Sequence, residues 1–319
     1  MLVVLCHPSD VVPGAAERDR WVDLFDPAGA DPGNISRYLR DISLGAYNAS
    51  AVLVTEWLDV GHTAADAAAA GGGAQRDLLG GWGADAAERV GLDLDAGTGV
   101  VFAYNIDADH GSLGGRRAVL AYRAGRPFEP TFMAHEVGHV LGLGHSRSQS
   151  DGEYGDRFDI MSAMNVWTFR DAWGRDAGPA ATGINLQQLG WMDESRVYYA
   201  DITTAGGSLP SADNFPLTPL YRPEVAEESR MVVMATPAGT YYIEYREQSG
   251  WDAGLPGPRV LIHQHENGPV ILGGGPEPLG ALALGGSVQL SDEPCPWGLA
   301  FYAVRADGCA EVGVWVDYM

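Results

Sequence analysis

Three histidines and one glutamate stand at fixed offsets between residues 130 and 146, and their types and spacing could do chemistry. His135 and His139 are four residues apart, so on a helix both imidazoles project from one face, close enough to bind one metal ion. Glu136 lies one residue out of that direction, which suits a base that reaches a metal-held water. Gly142 can take the left-handed conformation that ends a helix, so that the chain can return His145 as a third ligand. The pattern predicts a catalytic zinc site with three histidine ligands, a glutamate base and an open fourth position.

Two other interpretations of this stretch are possible. A buried helix can carry histidines that bind nothing, and a bound zinc ion can be purely structural. Structural zinc sites are usually closed cages of four ligands that are rich in cysteine. No cysteine lies near residues 130–146. The composition of the segment therefore favours the catalytic interpretation.

At these residues the chain resembles the metzincin zinc endopeptidases, whose H-E-x-x-H-x-x-G-x-x-H pattern it matches in full from His135 to His145. Ser146, directly after the third histidine, is the residue that the matrixin branch carries. The segment 153–156, Glu-Tyr-Gly-Asp, is more similar to gametolysin-type and immune-inhibitor-A-like peptidases. The resemblance implies a zinc-dependent endopeptidase with a protein or peptide substrate.

Metzincins also have a Met-turn beneath the zinc, and residues 159–164, Asp-Ile-Met-Ser-Ala-Met, resemble one. Met161 is the first candidate for the turn. Met164 is the alternative, because other metzincins have an S-x-M sequence at this place. The interval from His145 to Met161 is longer than matrixins use, which argues against a matrixin proper. By resemblance, Met161 forms an apolar floor under the histidines and does not touch substrate.

The residues and the resemblance together predict a mechanism. Zinc lowers the pKa of a bound water to about 7, and Glu136 takes its proton and later delivers it to the leaving amine. Two other functions compete with the endopeptidase. The first is a zinc hydrolase that acts on a non-peptide substrate, and the second is a binding or adhesion protein with a vestigial zinc site. The intact Glu136 argues against the second.

The composition is that of a globular protein with room for two domains, since the chain has 319 residues of which 46% are hydrophobic. Its formal net charge is -22 and it contains no lysine, so we expect no nucleic-acid partner. No stretch is long enough to suggest a membrane span. We expect a monomer. Because metzincins are mostly secreted as zymogens, the resemblance implies a secreted, extracellular protein whose leader and pro-segment are not in this chain.

The elements that must position the site alternate between helix and strand up to residue 146, which predicts a mixed sheet with helices packed on it. Residues 64–74 are rich in alanine and glycine and are expected to form a flexible connection, with a short helix as the alternative. On the active-site helix, an apolar stripe of Met133, Val137, Val140 and Leu141 should face the sheet. The other predicted elements are a first strand at the N-terminus, a helix capped by Asn34 and closed by Gly45, strands at 51–60, 99–105 and 118–122, and helices at 74–90 and 185–191.

From about Glu194 the pattern changes to repeated strands separated by Gly/Pro turns, and a β-sandwich is the simplest solution. The predicted fold is therefore α+β. It consists of a metzincin-like catalytic domain at 1–193, with a mixed twisted sheet, active-site helix and Met-turn, and an all-β sandwich-like domain at 194–319. His263 and His265 share one strand face and could ligate a second metal, although an ordinary surface position is favoured.

Clusters of carboxylates raise the question of calcium. Asp107, Asp109 and His110 fall in one loop and could bind calcium or a second zinc, but a solvated loop of an acidic protein is the simpler interpretation. The same two interpretations apply to the cluster formed by Asp151, Glu153 and Asp156. Structural calcium therefore stays an open expectation beside the catalytic zinc.

The chain has three cysteines. Cys295 and Cys309 lie in one small strand-rich segment and are expected to form a disulfide. Cys6 lies within the first apolar strand, where a buried thiol is favoured over a role as an inhibitory zinc ligand.

Overall fold

The computed structural model describes residues 1–48, 52–97, 99–122, 129–201, 214–222, 228–291 and 297–316. Helices and several sheets occur together, so the α+β prediction is confirmed. The helices are α1 Ala15–Phe25, α2 Ile35–Ile42, α3 Ala64–Ala70, α4 Gly72–Arg89, α5 Pro130–Leu141 and α6 Gly183–Gln188, with short 3₁₀ helices at Ile160–Asn165, Glu194–Arg196 and Gly250–Asp252.

The described residues contain more strands than helices, and the strands in the middle of the chain are short. Up to residue 177 they are β1 Leu2–His7, β2 Leu53–Val54, β3 Leu58–Asp59, β4 Val100–Tyr104, β5 Gly111–Gly114, β6 Arg117–Ala121, β7 Arg147–Ser148, β8 Gly152–Glu153, β9 Phe169–Arg170 and β10 Asp176–Ala177. After it they are β11 Val197–Asp201, β12 Asn214–Leu217, β13 Met231–Thr236, β14 Gly239–Arg246, β15 Arg259–His265, β16 Pro269–Ile271, β17 Ala281–Leu282, β18 Ser287–Ser291, β19 Trp297–Val304 and β20 Ala310–Val316.

The chain divides into two compact units. The first comprises Met1–Asp41, Gly45–Leu143 and Arg170–Ala177, and the second comprises Ile42–Leu44, Gly144–Phe169 and Gly178–Met319. The main division falls between residues 143 and 144, whereas the sequence pattern changes at residue 194. The assignment of a catalytic domain to 1–193 and a β domain to 194–319 stays a prediction.

The first unit contains a mixed sheet in the order β2-β1-β4-β6-β5, with β3 also paired to β1. Its strands are parallel except β5, which runs antiparallel at the edge. Phe102 and Tyr104 face a core shared with α4, and the alternate residues Val101 and Ala103 are equally buried. Both faces of the sheet are therefore covered, as near-continuous apolar strands require.

The alanine-rich segment 64–74 is helical, so the prediction of a flexible connection was wrong and its alternative was right. Thr63 caps α3: its hydroxyl accepts the Asp66 N–H, and the Asp66 carboxylate accepts the Thr63 N–H at 2.9 Å. This reciprocal cap satisfies two of the N–H groups that a helix start leaves without partners. The capping box formed by Thr63 and Asp66 is a sequence signal for a helix start, and the low-complexity composition of the segment hid it.

Helix α4 runs without interruption through Gly80, Gly81 and Gly83, three residues that weaken its helical pattern in the sequence. Two of these glycines lie close to side chains of the sheet. A Cβ at Gly80 would lie 2.4 Å from Leu113 Cδ1, and one at Gly83 would lie 2.5 Å from Phe102 Cδ1. Gly81 is exposed and has no atom within 4 Å of that position. The glycines of α4 thus allow the helix to lie close to the sheet.

Alanine substitutions at Gly83 and Gly81 in α4 should therefore change the free energy of unfolding in opposite directions. Gly83→Ala is expected to lower the free energy of unfolding by about 1–3 kcal/mol, because the new methyl group overlaps Phe102. Gly81→Ala, on the same helix, should raise it by about 0.5–1 kcal/mol through helix propensity alone. Urea denaturation of both variants tests this, and equal effects at the two positions would contradict the packing argument.

Helix α5, which carries His135 and His139, forms as its sequence predicts. Pro130 occupies the first turn, where a missing N–H costs nothing, and Gly142 ends the helix with φ +102°. The apolar stripe of Met133, Val137, Val140 and Leu141 is buried. Helix α5 packs against β4, β5 and β6 within the first unit.

The second unit contains two sheets that share one hydrophobic core. The larger has the order β11-β13-β14-β15-β16-β7-β8, with β17 also paired to β15, and the smaller has the order β12-β20-β19-β18. Aromatic pairs join them: Tyr241 contacts Trp297 with ring centroids 5.0 Å apart, and Tyr245 contacts Phe301 at 5.5 Å. The strands β7 and β8, which directly follow His145 and Ser146 in sequence, belong to this larger sheet.

The cysteines correct one prediction and confirm another. Cys6 is a fully buried free thiol within β1, as expected. Burial raises its pKa to about 12. Cys309 is also a buried free thiol, with its Sγ 4.0 Å from Thr218 Oγ1, which disagrees with the expected disulfide. Cys295 itself lies outside the described residues.

No helix in the described part of the chain combines the length and apolarity that crossing a bilayer needs.

Candidate metal centre

The three predicted ligands lie together. One potential ligand atom from each of His135, His139 and His145 lies within 4.8 Å of the other two, and no other such group of three occurs among the described residues. The Nε2 atoms of His135 and His139 are 3.1 Å apart, and their rings are nearly perpendicular. The short stretch from α5 to His145 thus brings together three imidazoles that could hold a metal ion.

The ring of His139 is oriented by the end of its own helix. Its Nδ1 lies 2.8 Å from the Leu143 carbonyl oxygen, which can only accept a hydrogen bond. Nδ1 therefore carries the proton and donates, and Nε2 keeps its lone pair. The Leu143 N–H donates to the Gly138 carbonyl at 3.0 Å, which closes the left-handed turn at Gly142. This turn positions the Leu143 carbonyl oxygen that accepts from His139.

His145 is contacted at both ring nitrogens from the segment that follows it. Its Nδ1 lies 2.7 Å from Glu153 Oε1, and its Nε2 lies 3.1 Å from the Tyr154 hydroxyl. Glu153 is held in place because β8 pairs with β7, and the Tyr154 N–H donates to the Ser146 carbonyl at 2.9 Å. Glu153, for which calcium binding and an exposed turn were both open, forms a hydrogen bond to the third histidine.

Glu136 is buried, with 5% of its surface exposed. Its carboxylate accepts the Ser112 N–H from the edge strand β5, while Oε2 has no hydrogen-bond partner among the described residues. Burial raises the pKa of Glu136 to about 7, although nearby Arg76 and the Ser112 N–H act to lower it. Burying a carboxylate oxygen without a hydrogen-bond partner lowers the stability of the fold. A chemical task for that oxygen would explain why it is kept.

Residues 160–165 form a short 3₁₀ segment that is kinked at Ala163, where φ is +52°. Met161 is fully buried, and its carbonyl accepts the Ser146 N–H at 3.1 Å, directly after the third histidine. Met164 is 61% exposed. These positions favour Met161 over Met164 as the residue of the predicted turn.

Asp159 is a buried residue that sequence reasoning did not single out. Its Oδ2 accepts hydrogen bonds from the Ser146 hydroxyl, from Thr182 Oγ1 at 3.2 Å and from Asn185 Nδ2 at 2.7 Å. Burial and the nearby Asp156 carboxylate raise the pKa of Asp159 to about 7, although the hydrogen bonds from Ser146 and Met161 act to lower it. Asp159 therefore ties the residue after His145 to the start of α6. Its place two residues before Met161 is the only sequence signal that could have found it.

His263 is not a surface residue, which corrects the sequence prediction. It is fully buried, and its Nε2 lies 3.0 Å from Asp156 Oδ2, whereas His265 is exposed. Burial lowers the pKa of His263, but Asp156, together with Glu244 and Asp159, outweighs burial and raises the pKa above its ordinary value. The pair forms no group of three ligands, so neither a second metal site at His263 nor calcium at Asp156 finds support.

The remaining acidic candidates have other partners. Asp109 forms an ion pair with Arg76 at 3.3 Å, and its N–H donates to Gln75 Oε1. Asp151 accepts the Gly275 N–H at 2.5 Å. His110 lies against the ring of Phe132, with centroids 4.7 Å apart. Within the described residues, these side chains do not assemble a calcium cage.

Comparison with protein-family models finds no match, and comparison with curated proteins finds none either.

Proposed function

We propose that this protein is a zinc-dependent endopeptidase of metzincin type, with zinc held by His135, His139 and His145 and with Glu136 as general base. The observation that carries the proposal is the buried Glu136 carboxylate, which has an unpaired oxygen and is adjacent in sequence to the first histidine of the cluster. A site built only to hold a metal ion has no use for such a group.

The donor set fits zinc better than calcium or magnesium. Imidazole nitrogens are common zinc ligands, whereas calcium and magnesium take oxygen ligands. Two of the rings donate from Nδ1 to an oxygen atom, His139 to the Leu143 carbonyl and His145 to Glu153. Such outer bonds fix the tautomer and orient metal-binding histidines. Three protein ligands also leave one position of a tetrahedral ion for water or substrate, as in catalytic zinc sites.

The residues of the chain would share the work of peptide hydrolysis. When bound, zinc supplies Lewis acidity that polarises a carbonyl group and makes water acidic. Glu136 accepts the proton of the attacking water at its unpaired oxygen and then donates it to the leaving amine. The Ser112 N–H holds the other side of the same carboxylate. A pKa raised by burial suits this double role, because the group must both take and give a proton near neutral pH.

The proposal extends to the surrounding structure. The mixed sheet and α5 would form the metzincin-like catalytic part, Met161 would be the methionine of the Met-turn, and the two packed sheets would form the sandwich-like part. The same resemblance motivates an extracellular location. The substrate would be a protein or peptide.

The test is digestion of a mixed peptide library by the purified chain, with and without a chelator, together with elemental analysis. We expect one zinc per chain, cleavage within peptides that the chelator abolishes, and recovery when zinc is returned. His139→Ala should lose both zinc and cleavage. Bound zinc without cleavage of any peptide would refute the endopeptidase, and unchanged zinc in His139→Ala would refute the site.

A further inference from the structure

Two consecutive residues, Glu153 and Tyr154, contact opposite nitrogens of the third histidine. The Glu153 carboxylate lies 2.7 Å from His145 Nδ1, and the Tyr154 hydroxyl lies 3.1 Å from His145 Nε2. The two rings are also in contact, with centroids 4.3 Å apart. All three residues lie between 145 and 154, within the second compact unit.

The chemistry of imidazole decides the direction of these two hydrogen bonds. A neutral ring has one N–H and one lone pair. An ionised carboxylate can only accept, so Nδ1 carries the proton and donates to Glu153. Nε2 therefore keeps the lone pair, and the Tyr154 hydroxyl donates to it. That lone pair is the one that His145 would use to bind a metal ion.

We propose that Glu153 and Tyr154 act on the metal affinity of His145 in opposite directions. Glu153 fixes the tautomer in which Nε2 can be a ligand, and it strengthens binding. The Tyr154 hydroxyl lies 3.1 Å from Nε2 and is directed at the same lone pair, so it competes with a metal ion for that lone pair and weakens binding. This inference rests on the proposed metal site and adds two positioning residues that control its third ligand.

The backbone around Tyr154 is held in place by hydrogen bonds on both sides of the peptide unit. Its N–H donates to the Ser146 carbonyl at 2.9 Å, and its carbonyl accepts from Asn165 Nδ2 at 3.3 Å. Its φ of +62° is a left-handed conformation that bulky residues rarely adopt. Such conformations persist only where the surroundings hold them in place, and they cluster at functional sites. The main chain at Tyr154 is thus fixed, and it places the hydroxyl at His145 Nε2.

The experiment is a zinc titration of the metal-free full chain against a competing chelator. Tyr154→Phe should bind zinc about 3–10-fold more tightly, because one hydrogen bond no longer has to be broken. Glu153→Gln should bind it about 10–100-fold more weakly, as expected when the outer partner of a ligand histidine is lost. Tyr302→Phe and Glu266→Gln, which change exposed residues of the same types, should leave the affinity unchanged.

The outcomes separate this inference from the proposed peptidase activity, because zinc affinity is measured without a substrate. Tighter binding in Tyr154→Phe together with weaker binding in Glu153→Gln supports the inference even if no peptide is cleaved, and shifts in the reverse directions would overturn it. Shifts of the same sign, or no shift in Tyr154→Phe, would overturn it even if peptides are cleaved. Nitrogen-15 NMR of the metal-free wild-type protein gives a second reading that needs no variant. It should show His145 protonated at Nδ1, and protonation at Nε2 would overturn the inference.

Discussion

Glu136→Ala is expected to reduce peptide cleavage by at least about 10²–10⁴-fold while zinc content and folding stay intact. General-base assistance accounts for a loss of that size, and loss of the group that orients the water adds to it. The metal should remain because Glu136 is argued to be a base and all three histidines are still present. Stability should change little, since loss of the bond from the Ser112 N–H is offset by removal of a buried carboxylate whose Oε2 lacks a partner among the described residues.

The measurement compares cleavage rate, zinc content and thermal unfolding of Glu136→Ala and His145→Ala. The histidine variant should lose zinc and activity together. The proposed roles would be wrong if Glu136→Ala kept most of its activity, or if it lost zinc as readily as His145→Ala. Glu136→Gln serves as the isosteric control and should lose activity to a similar extent, because an amide cannot take the proton.

Arg246→Ala is expected to lower the free energy of unfolding by about 3–5 kcal/mol, since removal of one member of a buried ion pair leaves the other charge uncompensated. Arg246 is fully buried in β14. Its Nε donates to Asp252 Oδ2 at 2.6 Å and its Nη1 to Glu244 Oε1 at 3.1 Å. It also donates to the carbonyls of Ala180 and Ala181 at 3.2 Å. One side chain thus satisfies two carboxylates and two carbonyls.

Urea denaturation of Arg246→Ala should be compared with that of Arg305→Ala. Arg305 pairs with Asp307 and Glu228, but it is 39% exposed, so its loss should cost less than about 1 kcal/mol. Similar costs for the two variants would show that burial does not set the strength of the Arg246 cluster.

The local features of the site could be predicted from the sequence, because they depend on spacing within one helix. The interval of four residues between His135 and His139, the stripe that includes Val137 and the glycine at 142 each act within a few residues. Helix α2 was predictable for the same reason, since Asn34 Oδ1 accepts the Arg37 N–H and apolar residues follow at helical intervals.

The buried polar network could not be predicted in this way. His263 and Asp156 are 107 residues apart in the chain, and no periodicity connects them. The strand at 51–60 was predicted as one element but forms the two short strands β2 and β3, because its residues pair with β1 at two separate places. Such features depend on long-range pairing, which a local pattern does not encode.

The parallel pairing of β7 with β16 sets an order of events during synthesis. Arg147 and Ser148 lie one and two residues beyond Ser146, and they pair with Val270 and Ile271. A ribosome completes the histidine motif long before it makes those partners. Until residues 269–271 have emerged, the strand that follows His145 has no neighbour on that side, so His145 is held less firmly than His135 and His139. A nascent chain that stops before residue 269 would therefore carry the whole H-E-x-x-H-x-x-G-x-x-H sequence with one of its proposed metal ligands not yet anchored.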